Sequence, residues 1–168
     1  MTTLTANWLG ALTVGLGDLL DRALRDASGL DPAAVAAVLT VRARPGQSVS
    51  ELAETLGVTH SGCVRVVGRL VDSGLLVRGP GPDGRTRGLS LSEDGDAAAD
   101  EMLRARRQVL EGLVGRLTPE ETAGLEQALK GLLPQLPGDR PGARRVCRLC
   151  EHAVCRGADC VVSTAAGH

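Results

Sequence analysis

A mainly α fold with one small β-hairpin follows from three observations on this chain. Residues 47–73 read as two short helices joined by a glycine turn. Residues 75–91 read as two strands around a tip rich in Pro and Gly. Longer helical segments with apolar stripes stand on either side of them. That order of elements is a winged helix-turn-helix between N- and C-terminal helices. Such an arrangement sets a helix and a basic wing side by side, so that both can enter adjacent grooves of one DNA duplex.

The elements follow in order. Residues 4–28 carry Leu9, Leu12, Leu16, Leu19 and Ala23 at alternating spacings of three and four, an amphipathic helix with a stripe suited to another helix or to its own domain. Asp31 and Pro32 form an N-cap and first-turn proline, opening a helix to about Ala43. Ser48 and Glu51 have capping-box spacing and start the next helix, which stops at Gly57. Thr59 caps a further helix, which runs to about Ser73 with Gly74 as its stop. Residues 75–79 and 86–91 alternate or branch as strands do, and residues 80–84 are turn formers.

Ser92, with Glu93 and Asp94, opens a long helix to about Arg116. Thr118, Pro119 and Glu121 then start another, with Leu125, Leu129, Leu132 and Leu133 along one side. Pro134, Pro137, Gly138, Pro141 and Gly142 read as a linker, and a cysteine-rich tail follows.

Composition narrows the function classes. The chain of 168 residues has no Phe or Tyr and one Trp, so its core must be packed from Leu, Val and Ala. Base stacking on aromatic rings is nearly unavailable, which argues against sequence-tolerant binding of single strands. The overall charge of −1 conceals an alternation. Residues 1–41 carry −2, 42–92 carry +3, 93–139 carry −5 and 140–168 carry +3. The first positive block coincides with the helix-turn-helix and wing, where a phosphate-facing surface belongs. No apolar segment is long enough to cross a membrane, and the N-terminus lacks the marks of a secretory signal, so a cytoplasmic protein without membrane partners is expected.

In the second helix of the motif, Cys63, Val67 and Leu70 fall at core spacing. His60, Ser61, Gly62, Arg65 and Arg69 lie at its start or on the opposite face. Arg65 is suited to base readout, since a guanidinium takes guanine O6 and N7 bidentately. Arg69, further along, is suited to phosphate. Gly62 permits close approach of the backbone. Alone, these arginines would read as a solvated face. The hairpin changes that reading: Arg85 and Arg87 lie at or beside its tip, where a long cation can enter a narrow minor groove. Asp83 stands where it can orient Arg85.

With LAETLGV, VGRLVDSGLL and PDGRTRGLSLSEDG in place, the chain resembles the MarR family of transcriptional regulators over about residues 4–135. The last segment looks like that family's wing signature. The resemblance implies an obligate homodimer, with the terminal helices interlocked as dimerisation helices, on a pseudo-palindromic double-stranded operator. It makes Asp83 and Arg85 the wing pair and 61–70 the recognition helix. A small-molecule effector between the dimerisation and DNA-binding regions is implied too. Gly62 and Cys63 depart from the family's usual polar or β-branched residues, which leaves the bases read undetermined.

The tail carries Cys147, Cys150, Cys155 and Cys160, with His152 between them as a substitute ligand. This spacing equals that of a zinc knuckle with Cys in place of its His. Zinc is the first expectation for these ligands, an iron–sulfur cluster the second. Redox thiols activated by Arg144, Arg145, Arg148 and Arg156 are the third.

The chain thus divides into an N-terminal dimerisation helix (1–30), a winged helix-turn-helix (31–95), C-terminal dimerisation helices (96–135), and a linker with a metal-binding tail (136–168). The function expected is a DNA-binding transcriptional repressor, not an enzyme, modulated through the cysteines. The alternatives are a thiol/disulfide redox protein using the CxxC, or a zinc-structured protein-interaction module.

Overall fold

A computed structural model describes residues 3–81, 87–155 and 160–165. Its elements are α1 (Thr3–Ser28), α2 (Pro32–Ala43), α3 (Val49–Leu56), α4 (His60–Asp72), β1 (Leu76–Pro80), β2 (Arg87–Leu91), α5 (Glu93–Val114), α6 (Pro119–Leu132), a 3-10 turn (Leu133–Gln135), α7 (Arg140–Val146) and α8 (Val161–Ala165). The fold class is the expected one: mainly helical, with a single antiparallel hairpin.

Helix α2 is the centre of the main core. It is small and apolar almost all round, so it suits a position with neighbours on every side. Ala34 to Val41 are all buried. Against it pack Leu52 of α3, Cys63, Val67 and Leu70 of α4, Leu76 and Leu89 of the hairpin, and Ala99 and Met102 of α5. The hairpin register pairs Leu76 with Leu91 and Arg78 with Leu89. An isolated bridge from Gln47 to Leu89 ties the segment before α3 to the same strand. Gln47 itself is buried, and its side-chain amide donates to the Thr40 carbonyl at 3.0 Å.

The hairpin base is fused to α5. Ser92 caps α5, accepting from the Gly95 N–H at 3.0 Å, while its own N–H donates to the Leu75 carbonyl at 3.1 Å. Gly95 lies so close to that carbonyl oxygen that a Cβ would collide with it. Only glycine permits this junction.

Helix α1 runs along α5 but buries only Leu24 fully. Leu9, Leu12 and Leu19 of the stripe stay exposed, as do Leu4 and Trp8. Helix α6 has no buried residue, and Leu129 and Leu132 are exposed. Among the described residues, no helix is long and apolar enough to cross a membrane.

The segment read as a linker differs from expectation. Pro141 occupies the first turn of α7, and Asp139 caps it by accepting from the Gly142 N–H at 2.8 Å. A proline after a capping aspartate starts a helix rather than breaking one, because its missing N–H is not needed there. The tail also packs on the rest of the chain: α7 lies against α3, Leu149 joins the edge of the main core, and Glu151 pairs with Arg107 at 3.5 Å.

Candidate nucleic-acid interface and cysteine cluster

The helix-turn-helix is built from local signals. The Ser48 N–H donates to Glu51 Oε2 at 2.8 Å, and the Glu51 N–H donates back to Ser48 Oγ at 3.3 Å, closing the capping box of α3. Those hydrogen bonds from Ser48 backbone and side chain hold the Glu51 carboxyl below its usual range. Gly57 ends α3 with φ of 69°, a left-handed conformation that favours glycine. Thr59 then caps α4, accepting from the Gly62 N–H at 3.2 Å.

Helix α4 divides cleanly into two faces. Cys63, Val66, Val67 and Leu70 are buried, while His60, Ser61, Val64, Arg65 and Arg69 are exposed. Burial pushes the Cys63 thiol up, consistent with a core role. His60 Nδ1 lies 3.4 Å from Ser50 Oγ. Gly62 is half-buried at the first turn.

Among the described residues Arg65 has no ion-pair partner, leaving its guanidinium available. Arg69 instead pairs with Asp31 at 2.8 Å. Arg87 stands exposed where β2 leaves the hairpin tip, opposite Pro80. Asp83 and Arg85 lie outside the described residues. An exposed cation missed in the sequence, Arg78, shares the hairpin with Arg87. The clue was available: it sits on a strand between Val77 and Gly79, beside the basic tip.

The four tail cysteines share a second, small core. Cys147 and Cys160 are buried with Ala143 and Val162, and Cys150 and Cys155 pack half-buried against them, along with Leu133, Val146 and Val161. Sulfur hydrogen bonds link Cys147 to Cys150 and Cys160, and Cys160 to Cys155. Sharing one with Cys150, together with burial, pushes the Cys147 thiol well up. The same bond from Cys147, assisted by the Arg106 guanidinium, holds the Cys150 thiol down to about 6 against the opposing effect of burial. Burial pushes Cys160 up but is outweighed by hydrogen bonds involving Ser163, Cys155 and the Val162 backbone, and the net is downward.

Among the described residues, no three His, Cys, Asp or Glu side chains form a group set to hold a metal ion. His152 turns a ring nitrogen, Nε2, to the Cys147 carbonyl at 3.3 Å. Of the arginines expected to activate the thiols, Arg145 is engaged elsewhere, and the guanidinium acting on Cys150 comes from α5. A cavity of about 210 Å³ opens between α2, α5 and the cysteine turn, lined by Arg42, Asp100, Arg107, Cys150 and Glu151 among others.

The chain is similar to known proteins in sequence and shape. The sequence profile of the MarR family matches residues 28–86. The HTH-type transcriptional regulator PetP of Rhodobacter capsulatus is 32% identical over 98 residues, which are 58% of this chain and 59% of PetP. The matched stretch thus spans under two thirds of that relative. YusO from Bacillus subtilis shares the fold with a TM-score of 0.64 at 24% identity, over 76% of this chain and 91% of YusO. A mutant MarR from E. coli complexed with operator DNA has a TM-score of 0.57 at 27% identity, over 75% of this chain and 94% of MarR. By its helix-turn-helix, its hairpin and these likenesses, the chain is similar to MarR-family regulators over its winged helix-turn-helix and the helices beside it.

Proposed function

We propose that the protein is a transcriptional repressor that binds a pseudo-palindromic double-stranded operator as a homodimer. One observation carries the DNA reading. Helix α4 is held by four buried side chains, so Arg65, with no ion-pair partner among the described residues, projects from a fixed face. The hairpin beside it presents Arg87 and Arg78. A guanidinium so placed reads base edges in a major groove, while cations on a hairpin reach phosphate or a minor groove. The operator complex of the similar MarR protein supports the same reading.

The bare apolar faces of α1 and α6 support the dimer. Leu9, Leu12 and Leu19 on one, and Leu129 and Leu132 on the other, form the kind of exposed patch that a second copy covers. The cavity lined by Arg42, Asp100, Arg107 and Glu151 is where a small-molecule effector would sit.

The cysteine cluster is the proposed point of regulation, with zinc as its first occupant. Four thiols in one small core are the donor chemistry of a closed zinc site; no three of the described ones are gathered as one ligand group here, so zinc would have to draw them together, and a core this small would gain stability from it. An iron–sulfur cluster would draw on the same thiols. Thiol redox is the second reading, favoured by the low-lying Cys150 thiol beside Cys147.

The test of DNA binding is selection of an operator from random duplexes, followed by anisotropy titrations of the wild type and Arg65→Ala. Specific binding lost on that substitution supports the reading; binding equal for selected and random duplexes overturns it. Elemental analysis and an optical spectrum of anaerobically purified protein separate the occupants. Colourless protein with one zinc per chain supports zinc, and coloured protein with iron supports a cluster. Metal-free protein with a titratable disulfide supports redox.

A further inference from the structure

We propose that Arg145 is a clamp through which the cysteine cluster acts on the helix-turn-helix, so that the state of the thiols sets the hold on the turn before the recognition helix. The proposal rests on the reading above, in which that cluster regulates DNA binding.

The guanidinium of Arg145 occupies the space where a side chain at Gly57 would begin. A Cβ built on Gly57 would stand 2.9 Å from Arg145 Cζ and 3.1 Å from Nε. Nη2 donates to the Glu54 carbonyl at 3.3 Å. That oxygen belongs to the last turn of α3 and already accepts the Gly57 N–H at 3.2 Å, so Arg145 adds a second donor and a positive charge at the negative end of the helix dipole. Gly57 is therefore constrained twice, by its left-handed backbone and by the cation beside it. Arg145 caps α3 from outside, at the turn that sets the angle of α4.

The other end of the clamp is the cluster itself. Arg145 sits in the last turn of α7, and Cys147 is the residue that ends this helix. The Cys147 N–H donates to the Ala143 carbonyl at 3.0 Å, and the Cys150 N–H to the Cys147 carbonyl at 2.9 Å. Arg148 Nη1 donates to the Arg145 carbonyl at 2.7 Å. The backbone that places Arg145 is thus continuous with the turn that places two of the thiols.

Beyond the turn, Leu149 packs on the main core and Glu151 pairs with Arg107 of α5. On either side of Cys147 the tail meets the rest of the chain, through α7 and Arg145 on α3 and through Leu149 and Glu151. A change in how Cys147 and Cys150 are held, by a metal or by a disulfide, must be taken up at one of those places. The Glu151 end is buttressed by apolar packing. At the α7 end the Arg145 side chain is exposed and holds the Glu54 carbonyl by one 3.3 Å hydrogen bond, and that contact yields first.

The experiment is a double-mutant cycle on the full-length protein, read by anisotropy with the selected operator. Cys150→Ser weakens operator binding about tenfold in the wild type and less than about twofold in an Arg145→Met background. Arg145→Met alone, which keeps the aliphatic stem, reproduces most of the loss.

Hydrogen exchange gives the second readout: the Gly57 and Val58 amides exchange faster in Cys150→Ser and in Arg145→Met, with no further gain in the double variant. Equal effects of Cys150→Ser in both backgrounds, or unchanged exchange at Gly57, would overturn the clamp while leaving the cysteine reading intact. No effect of Cys150→Ser on operator binding in the wild type would overturn the cysteine reading, and the clamp with it.

Discussion

Arg69 of α4 and Asp31, the cap of α2, form an ion pair at 2.8 Å, and the other oxygen of that carboxylate accepts the Ala34 N–H at 3.0 Å. One aspartate thus starts the central helix and tethers the last turn of α4 to it. The Ala34 hydrogen bond is the largest effect on Asp31, and with Arg69 it outweighs burial to lower the carboxyl below its usual 3.8. The resulting stabilisation is complete above pH 3.8 and disappears as the pH falls through the lowered folded value. Asp31→Ala costs about 1 kcal/mol in urea unfolding at pH 7, mostly as a lost cap. Asp31→Asn costs less, and its deficit closes in acid. A deficit that widens on acidification would refute the assignment.

Arg65 and Arg69 should behave differently on DNA. Arg65→Ala weakens operator binding by about 5- to 150-fold per half-site, since a good bidentate base contact is worth about 1–3 kcal/mol, and it relaxes preference at one base. Arg69→Ala costs less, because its guanidinium is already held by Asp31. Arg87→Ala lowers affinity evenly across sequences and reduces the salt slope by about one per subunit. Selection with each variant, at two salt concentrations, separates the three roles.

Cys63 should be chemically silent in the folded protein. It is fully buried on the inner face of α4, and burial pushes its thiol up. Iodoacetamide therefore labels Cys63 at least about 100-fold more slowly in native than in denatured protein, as read by peptide mass spectrometry. Comparable rates would mean that α4 opens readily from the core.

The exposed stripe of α1 gives a test of the dimer. Leu12 is 54% exposed in the single chain. Losing its burial costs about 1.5–3 kcal/mol per copy, and two-fold symmetry counts it twice. Leu12→Glu raises the dimer dissociation constant by about a hundredfold or more in sedimentation equilibrium. An unchanged constant would place the dimer interface elsewhere.

What the sequence made legible was local. The capping box of Ser48 and Glu51, the stop at Gly57 and the cap at Thr59 each involve residues within one turn, and each stands where its spacing puts it. The inward set Cys63, Val67 and Leu70 follows from period alone. Arg145 and Glu54 are 91 residues apart, and no spacing rule reaches that far. The same limit hid the Arg69 pairing with Asp31 and the guanidinium of Arg106 beside Cys150. Pro141 was misread for another reason: among so many prolines and glycines its role as a helix starter was masked by their sum. Asp83 and Arg85, central to the expected wing, lie outside the described residues.

The close seat of Gly95 on the Leu75 carbonyl makes the hairpin and α5 one lever. Five strand residues span about 17 Å from that junction to Arg87. A tilt of α5 by about 10° would therefore carry Arg87 by about 3 Å, close to the spacing of successive bases along a strand. In the proposed dimer, repositioning of the two α5 helices would therefore reach the DNA as a shift of register of about one base pair.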